Sequence, residues 1–102
     1  MKNILKNSVL VIGLSLLIAT PAVAASDCYV DYKAKQTESG LKLHYGVMKL
    51  KGDACSNNGK AQKVVSKRLA KGGWKLLTIL SRFDKSGLSK RQANAGAYFL
   101  RY

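Results

Sequence analysis

The chain has 102 residues, with 18 Lys and Arg against five Asp and Glu, and a formal net charge of +13 at pH 7. Its one histidine and two cysteines cannot complete a zinc site, and its acids are few and scattered, so no catalytic or cofactor pattern is present. We therefore expect a small, non-enzymatic protein without metal or cofactor, whose excess positive charge favours an anionic partner.

Residues 1–24 have the pattern of a secretory signal peptide. Lys2 and Lys6 give a basic start, an apolar run follows, and the sequence AVA at 22–24 is a small-x-small cleavage site. The apolar run is shorter than the roughly 20 residues that a membrane-spanning helix needs. We expect Sec-type export by a bacterium to the periplasm or the medium, and a mature chain of residues 25–102 with no transmembrane segment.

Removal of this leader leaves 16 of the 18 cations against all five acids, a net charge of +11 on a single small domain. The two cysteines, Cys28 and Cys55, both lie in this part, where an oxidising compartment lets a disulfide persist. Their spacing is too wide for a C-x-x-C pair, so we favour a structural disulfide over a reactive or metal-binding thiol pair. On the chain-entropy argument it stabilises the domain by about 3 to 4 kcal/mol.

Two segments alternate between apolar and polar residues, the period of a strand with one buried face. The first lies at 28–35 and the second at 41–50, with a turn between them that favours an antiparallel pair. One side of the first strand holds Val30, Tyr32 and Ala34, and one side of the second holds Leu41, Leu43, Tyr45 and Val47. His44 lies on the other side of the second strand, where we expect a solvent-facing or structural role and no catalysis.

A turn-rich loop at 51–59 leads into a predicted helix that ends at the double glycine Gly72-Gly73. Ser56, Asn57 or Asn58 can cap its start. At 100° per residue the helix has an apolar side and a basic side opposite it. The apolar side holds Ala61, Val65 and Leu69, and the basic side holds Lys60, Lys63, Lys67 and Lys71 within about 80°.

This lysine row destabilises an isolated helix. Like charges at i, i+4 cost a few tenths of a kcal/mol per pair. The helix dipole offsets part of that for Lys67 and Lys71, but not for Lys60 and Lys63 at the other end. Two interpretations stay open: a merely solvated face, or a face that attracts phosphates or carboxylates as point charges.

The rest of the chain predicts two more strands. Residues 74–83 form a continuous apolar run, typical of the central and most buried strand, and 97–102 close the chain as a last strand. The long polar loop at 84–96 carries further candidate anion-binding residues, Lys85, Lys90 and Arg91. The order predicts an α+β fold, a four-stranded antiparallel ββαββ sheet with one helix on a face.

The segment Gly73-Trp74-Lys75-Leu76, which follows the helix, resembles the junction between helix and sheet in small uncharacterised bacterial domains with a Gly-Trp-x-Leu signature. The likeness covers residues 60–83 and 97–102. It implies a helix packed on a sheet, and it implies no active site.

We expect a non-catalytic binding module whose partner is an anionic envelope component or an acidic protein. The alternative is a protein–protein module, such as an inhibitor or envelope assembly factor, that uses an aromatic face or edge of the sheet. A membrane surface is a further class of partner, although the helix offers no aromatic wedge to insert. Nucleic acid is not expected, because the leader directs the chain out of the cytoplasm. The oligomeric state is not predicted.

Overall fold

The computed structural model describes residues 27–102, and the expected leader at 1–24 lies outside them. Three strands and two helices form an α+β fold. They are β1 (Cys28–Gln36), β2 (Lys42–Leu50), α1 (Asn58–Lys71), β3 (Lys75–Phe83) and α2 (Ser89–Ala95), with short 3-10 turns at Gly52–Cys55, Lys85–Gly87 and Gly96–Tyr98. The first two strands and the main helix therefore lie where the sequence predicts them.

The sheet has the order β2-β1-β3, with β1 antiparallel to both neighbours. Val30 of β1 lies opposite Met48 and Arg82, and the next residue, Asp31, lies opposite Val47 and Ser81. Because side chains alternate across a strand, these two rows mark opposite faces of the sheet.

The prediction that residues 74–83 form the central, most buried strand is wrong. β1 is central, and β3 is an edge strand on which Leu77 and Leu80 are 47% and 48% exposed. The register with β1 shifts twice, so that Leu77 and Leu80 are extra residues without a partner. Such bulges bend a strand and change which side chains face the core, which explains why an apolar run is not a buried one.

The fourth strand expected at 97–102, and with it the ββαββ order, is not confirmed: the sheet within residues 27–102 has three strands. The segment expected to be a loop at 84–96 instead contains a 3-10 turn and α2. Past α2 the chain touches the outer edge of β2 only briefly, where Phe99 makes one isolated parallel bridge with Val47. The Leu100 N–H donates to the Val47 carbonyl at 2.8 Å.

The core lies between α1 and one face of the sheet. Its fully buried members include the predicted apolar sides of the first strand and of the helix: Val30, Tyr32, Ala34, Ala61, Val65 and Leu69. In β2 the core side is that of Met48 and Leu50, while Leu43 on the other side is 65% exposed. Gly46 is needed on the core side, because a Cβ there would clash with the Tyr32 phenol.

The predicted disulfide between Cys28 and Cys55 is confirmed. It ties the first residue of β1 to the turn that precedes α1, and so fixes the start of the helix against the central strand. Closing a loop with a sequence separation of 27 residues stabilises a small domain by about 3 to 4 kcal/mol on the chain-entropy argument.

Candidate functional site

The start of α1 is set by Asn57. Its side-chain oxygen accepts a hydrogen bond from the Lys60 N–H at 2.8 Å, which satisfies one of the free donors of the first turn. Asn57 is one of the three caps that the sequence offered. No acid lies in the first turn, so the positive end of the helix is not neutralised locally.

The end of α1 is the predicted glycine stop. The Gly73 N–H donates to the Ala70 carbonyl and the Trp74 N–H to the Leu69 carbonyl, both at 3.0 Å, which is the Schellman arrangement. Gly73 has φ of +82°, where a side chain would be strained. The chain then turns Trp74 into the core, and this fixes the orientation of the helix on the sheet.

The lysine face of α1, defined as Lys60, Lys63, Lys67 and Lys71, is exposed along the whole helix. The buried residues of α1 are Ala61, Val65 and Leu69, on the opposite side. The face therefore points to solvent and is not packed against the sheet. Four ammonium groups on one side of a 14-residue helix make a row of point charges about three turns long.

None of these lysines is paired with an acid within residues 27–102. The two ion pairs in that region are Lys49 with Asp27 at 3.5 Å and Arg91 with Asp31 at 3.0 Å. The fifth cation of the helix, Arg68, is occupied, because its guanidinium donates to the Lys49 carbonyl at 2.8 Å. The lysine face is thus the uncompensated part of the helix surface.

The structure does not bring the candidate residues of the 84–96 segment to this face. Arg91 of α2 reaches Asp31, which lies on the side of the sheet opposite α1. Lys85 and Lys90 are exposed on the segment that carries Arg91. Of the seven candidate residues, Arg91 and the four lysines of α1 therefore lie on opposite sides of the sheet.

Asp31 is the centre of a polar cluster that the sequence did not reveal. Its carboxylate accepts hydrogen bonds from the Tyr45 hydroxyl at 2.9 Å, the Ser81 hydroxyl at 2.6 Å and Arg91 Nε at 3.0 Å. Arg91 also donates to the Gly87 carbonyl at 2.7 Å and lies over the Phe83 ring, 3.8 Å from its centroid. The one available signal was an aspartate inside a strand, where this residue type is rare, and it lies at a polar position of the alternation like Lys33 and Lys35.

The cluster is built for structure rather than for proton transfer. Burial raises the pKa of Asp31, but the hydrogen bonds from Ser81, Arg91 and Tyr45 outweigh it, and the pKa lies below its usual value. Burial, and then the bond to Asp31, raises the pKa of Tyr45 to about 12. A carboxylate held ionised with its oxygens occupied is a poor general base.

His44 lies in an aromatic cluster on the face of the sheet that α1 covers, which we call the α1 face, close to the end of the chain. The residue is 7% exposed, and its Nε2 is 2.8 Å from the Tyr32 hydroxyl oxygen, a hydrogen-bond distance. Its imidazole ring stacks on the Tyr98 ring, with 3.7 Å between the ring centroids. Trp74 packs edge-on against it at 4.3 Å. Its Nδ1 has no hydrogen-bond partner in the described part of the chain. The histidine is therefore buried and not solvent-facing.

Burial, and then the charge of Arg101, lowers the pKa of His44 to about 4. The imidazole is therefore neutral at physiological pH and enclosed by rings, and no acid among residues 27–102 forms a hydrogen bond or an ion pair with it. Among the described residues, no three His, Cys, Asp or Glu side chains are grouped so that they could hold a metal ion.

Within residues 27–102 no helix has the length and apolar character needed to cross a bilayer. No family model, curated protein or solved structure matches the chain.

Proposed function

We propose that this protein is an exported, non-catalytic binding module that attaches to an anionic envelope component or an acidic partner through the lysine face of α1. One observation carries the proposal: Lys60, Lys63, Lys67 and Lys71 lie exposed on one side of a helix, and none of them is paired with an acid within residues 27–102. A mixture of glutamates and lysines at the same spacing would give a more stable helix, so the uniform lysine row has a cost to folding.

The chemistry of the face limits the kind of partner. Lysine ammonium groups act as point charges without the paired geometry of arginine, and the one arginine of α1 is occupied elsewhere. The face therefore suits phosphates or carboxylates that repeat along a surface or polymer. Because the contacts are exposed charges, binding should weaken steeply as salt rises.

Export to the periplasm or the medium is part of the proposal. It is supported by the leader pattern at 1–24 and by the disulfide, which is compatible with an oxidising compartment. The single domain at 25–102 would then act outside the cytoplasm, where the anionic groups within reach are those of the envelope.

The alternative, contact through an aromatic face of the sheet, has less support. Tyr32 and Trp74 are buried, and Tyr98 is stacked on His44, so these rings already have partners inside the molecule.

The test compares two variants that lose the same charge. One replaces Lys63, Lys67 and Lys71 by glutamine, and the other replaces Lys51, Lys85 and Lys90, which are also exposed but lie off the helix. The salt concentration that elutes each from a carboxylate matrix is measured, with circular dichroism as a check on folding. We expect the helix variant to elute at clearly lower salt than the control variant. Equal elution would mean that only net charge matters, and would exclude the lysine face as a site.

A further inference from the structure

The face of the sheet opposite α1 is covered at one end only. There α2 packs on β2, and Arg91 closes over Asp31. Two residues further along β1, Lys33 is exposed, and this end of the face is open. Lys33, Leu43, Tyr45 and Leu77 line one shallow depression on it.

Three exposed leucines at this open end form what we call the leucine patch: Leu41, Leu43 and Leu77, which are 68%, 65% and 47% exposed. Leu41 directly precedes β2, and strand alternation puts it on the side of Leu43. Leu77 is one of the two bulge residues of β3. A solvated sheet face normally carries polar residues, so grouped leucines there indicate a surface that meets something apolar.

Lysines surround the patch. Lys35 lies opposite Leu43 on one side and Lys75 on the other, and Lys33 precedes it by two residues, so the three share the face of Leu43. Glu38, in the turn beyond β1, makes no ion pair with any residue from 27 to 102. The patch is therefore apolar at its centre and positive at its rim.

The positive charges around the leucine patch limit what can bind there. A second copy would bring two sets of rim lysines together on chains that already repel each other. The chain's own residues 1–26 are apolar enough to cover leucines, but they carry Lys2 and Lys6 and no acid, and offer no counter-charge. The occupant must be apolar and anionic at once.

We propose that the leucine patch is a peripheral membrane contact that takes anionic phospholipid. The leucines enter the interface between headgroups and acyl chains, while Lys33, Lys35 and Lys75 meet the lipid phosphates. Stable peripheral attachment needs two such signals, apolar insertion and basic charge, and the patch supplies both. Lysine stems suit this position because they lie along apolar surface while the ammonium groups reach the phosphates.

The geometry extends the proposed function. The patch and the lysine face of α1 lie on opposite sides of the sheet, so one flat bilayer cannot touch both. A molecule attached by the patch presents the α1 lysines away from the membrane, where they are free for a second anionic partner.

The chain offers a matched control for the test. Leu80 has the same exposure as Leu77 on the same strand, but it lines the groove between α1 and β3 with Asn58 and Gln62. Leu100 is 42% exposed, with φ of +56°, a conformation that asparagine tolerates. The double variant Leu43→Asn/Leu77→Asn is therefore compared with Leu80→Asn/Leu100→Asn.

Each protein is purified as the expressing bacterium processes it, and its mass is measured to define the amino terminus. It is then sedimented with vesicles of phosphatidylglycerol and phosphatidylcholine, and with phosphatidylcholine alone. We expect the parent to bind the phosphatidylglycerol vesicles, the patch variant to bind about tenfold more weakly, and the control variant to bind within about twofold of the parent.

Three results would overturn the proposal. The first is a parent that sediments with neither vesicle, which would leave an acidic protein as the occupant. The second is an equal loss of binding in the patch variant and the control variant. The third is a dimer, seen by sedimentation velocity, that the patch variant cannot form, and the occupant would then be a second copy. Retention on the carboxylate matrix tests the lysine face of α1 separately, so failure of one proposal is distinguishable from failure of the other.

Discussion

The two faces of the sheet are stabilised in different ways. The α1 face is packed with apolar side chains, among them Tyr32 and Leu69, which are fully buried. The other face has a smaller buried part, in which the apolar side chain of Val47 lies beside one ionised group, Asp31, with three hydrogen-bond donors around it. It is open beyond Lys33. The first face depends mainly on apolar area and the second depends also on a charged centre, so the two should respond to mutation and pH in different ways.

The largest expected effect is at the charged centre. Asp31→Ala leaves the partly buried Arg91 without its carboxylate and removes the acceptor of the Ser81 and Tyr45 hydroxyls. It should lower the free energy of unfolding by about 3 to 5 kcal/mol. Leu69→Ala, on the α1 face, should lower the free energy of unfolding by a comparable amount, about 2 to 5 kcal/mol, through the cavity it leaves. Urea unfolding of both variants measures the difference from the parent. A loss below about 1 kcal/mol for Asp31→Ala would mean that the second face needs no charged centre.

Arg91→Leu, Asp31→Leu and the double variant that combines them sharpen this result. Because the pair acts as a unit, the double variant should lose less stability than the sum of the losses in the two single variants. Simple additivity would show that the two side chains contribute independently.

The next effect is the response of the α1 face to acid. The pKa of His44 is about 4 in the folded protein against about 6.5 when unfolded, so the unfolded chain binds the proton first. Stability is therefore fully present above pH 6.5 and falls as the pH drops towards 4, by about 3 kcal/mol. The lowered pKa of Asp31 acts in the same direction, but the stability it provides is lost only as the pH falls below about 3.8, the ordinary pKa of the group.

Urea unfolding at several pH values between 7 and 4 measures this loss, and His44→Phe is the control. Phenylalanine keeps a ring for stacking on Tyr98 but binds no proton, so its stability should be nearly flat over that range. An equal slope in the parent and the variant would place the acid sensitivity elsewhere.

Close packing on the α1 face gives a smaller effect. Gly46→Ala places a methyl group against the Tyr32 phenol and should cost about 1 to 3 kcal/mol through overpacking. Gly59→Ala in α1 meets only the cap side chain, at 3.4 Å, and should stabilise by up to about 1 kcal/mol. Thermal unfolding compares the two variants. Equal behaviour would contradict the close approach of Tyr32 to β2.

The sequence predicted the α1 face better than the other face, for a physical reason. Three local patterns are confirmed in the structure: the alternation in β1, the glycine stop at Gly72-Gly73, and the 3.6-residue period of the lysines. The Asp31–Arg91 pair joins residues 60 positions apart, and no local sequence pattern predicts such a contact. Arg91 therefore looked like one more exposed cation.

The errors at β3 and the chain end have a related cause. An apolar run without alternation is typical of a buried strand, but two bulges turn Leu77 and Leu80 outward. In the last segment, Tyr98 and Tyr102 are held by His44 and by the space at Gly72, so their rings are used for packing and not for a fourth strand. Tertiary contacts decided both segments.

The smallest expected effect concerns the lysine face itself and separates stability from binding. Lys63→Glu replaces repulsion with Lys60 and Lys67 by attraction, and should stabilise α1 by about 0.5 to 1 kcal/mol. The same change should weaken retention on the anionic matrix, because it places a negative charge in the centre of the site. Lys63→Gln should fall between the parent and Lys63→Glu in both measurements. A variant that gains stability and keeps full retention would show that the lysines are a solvated surface with no bound partner, since the face would then have no function to offset its cost.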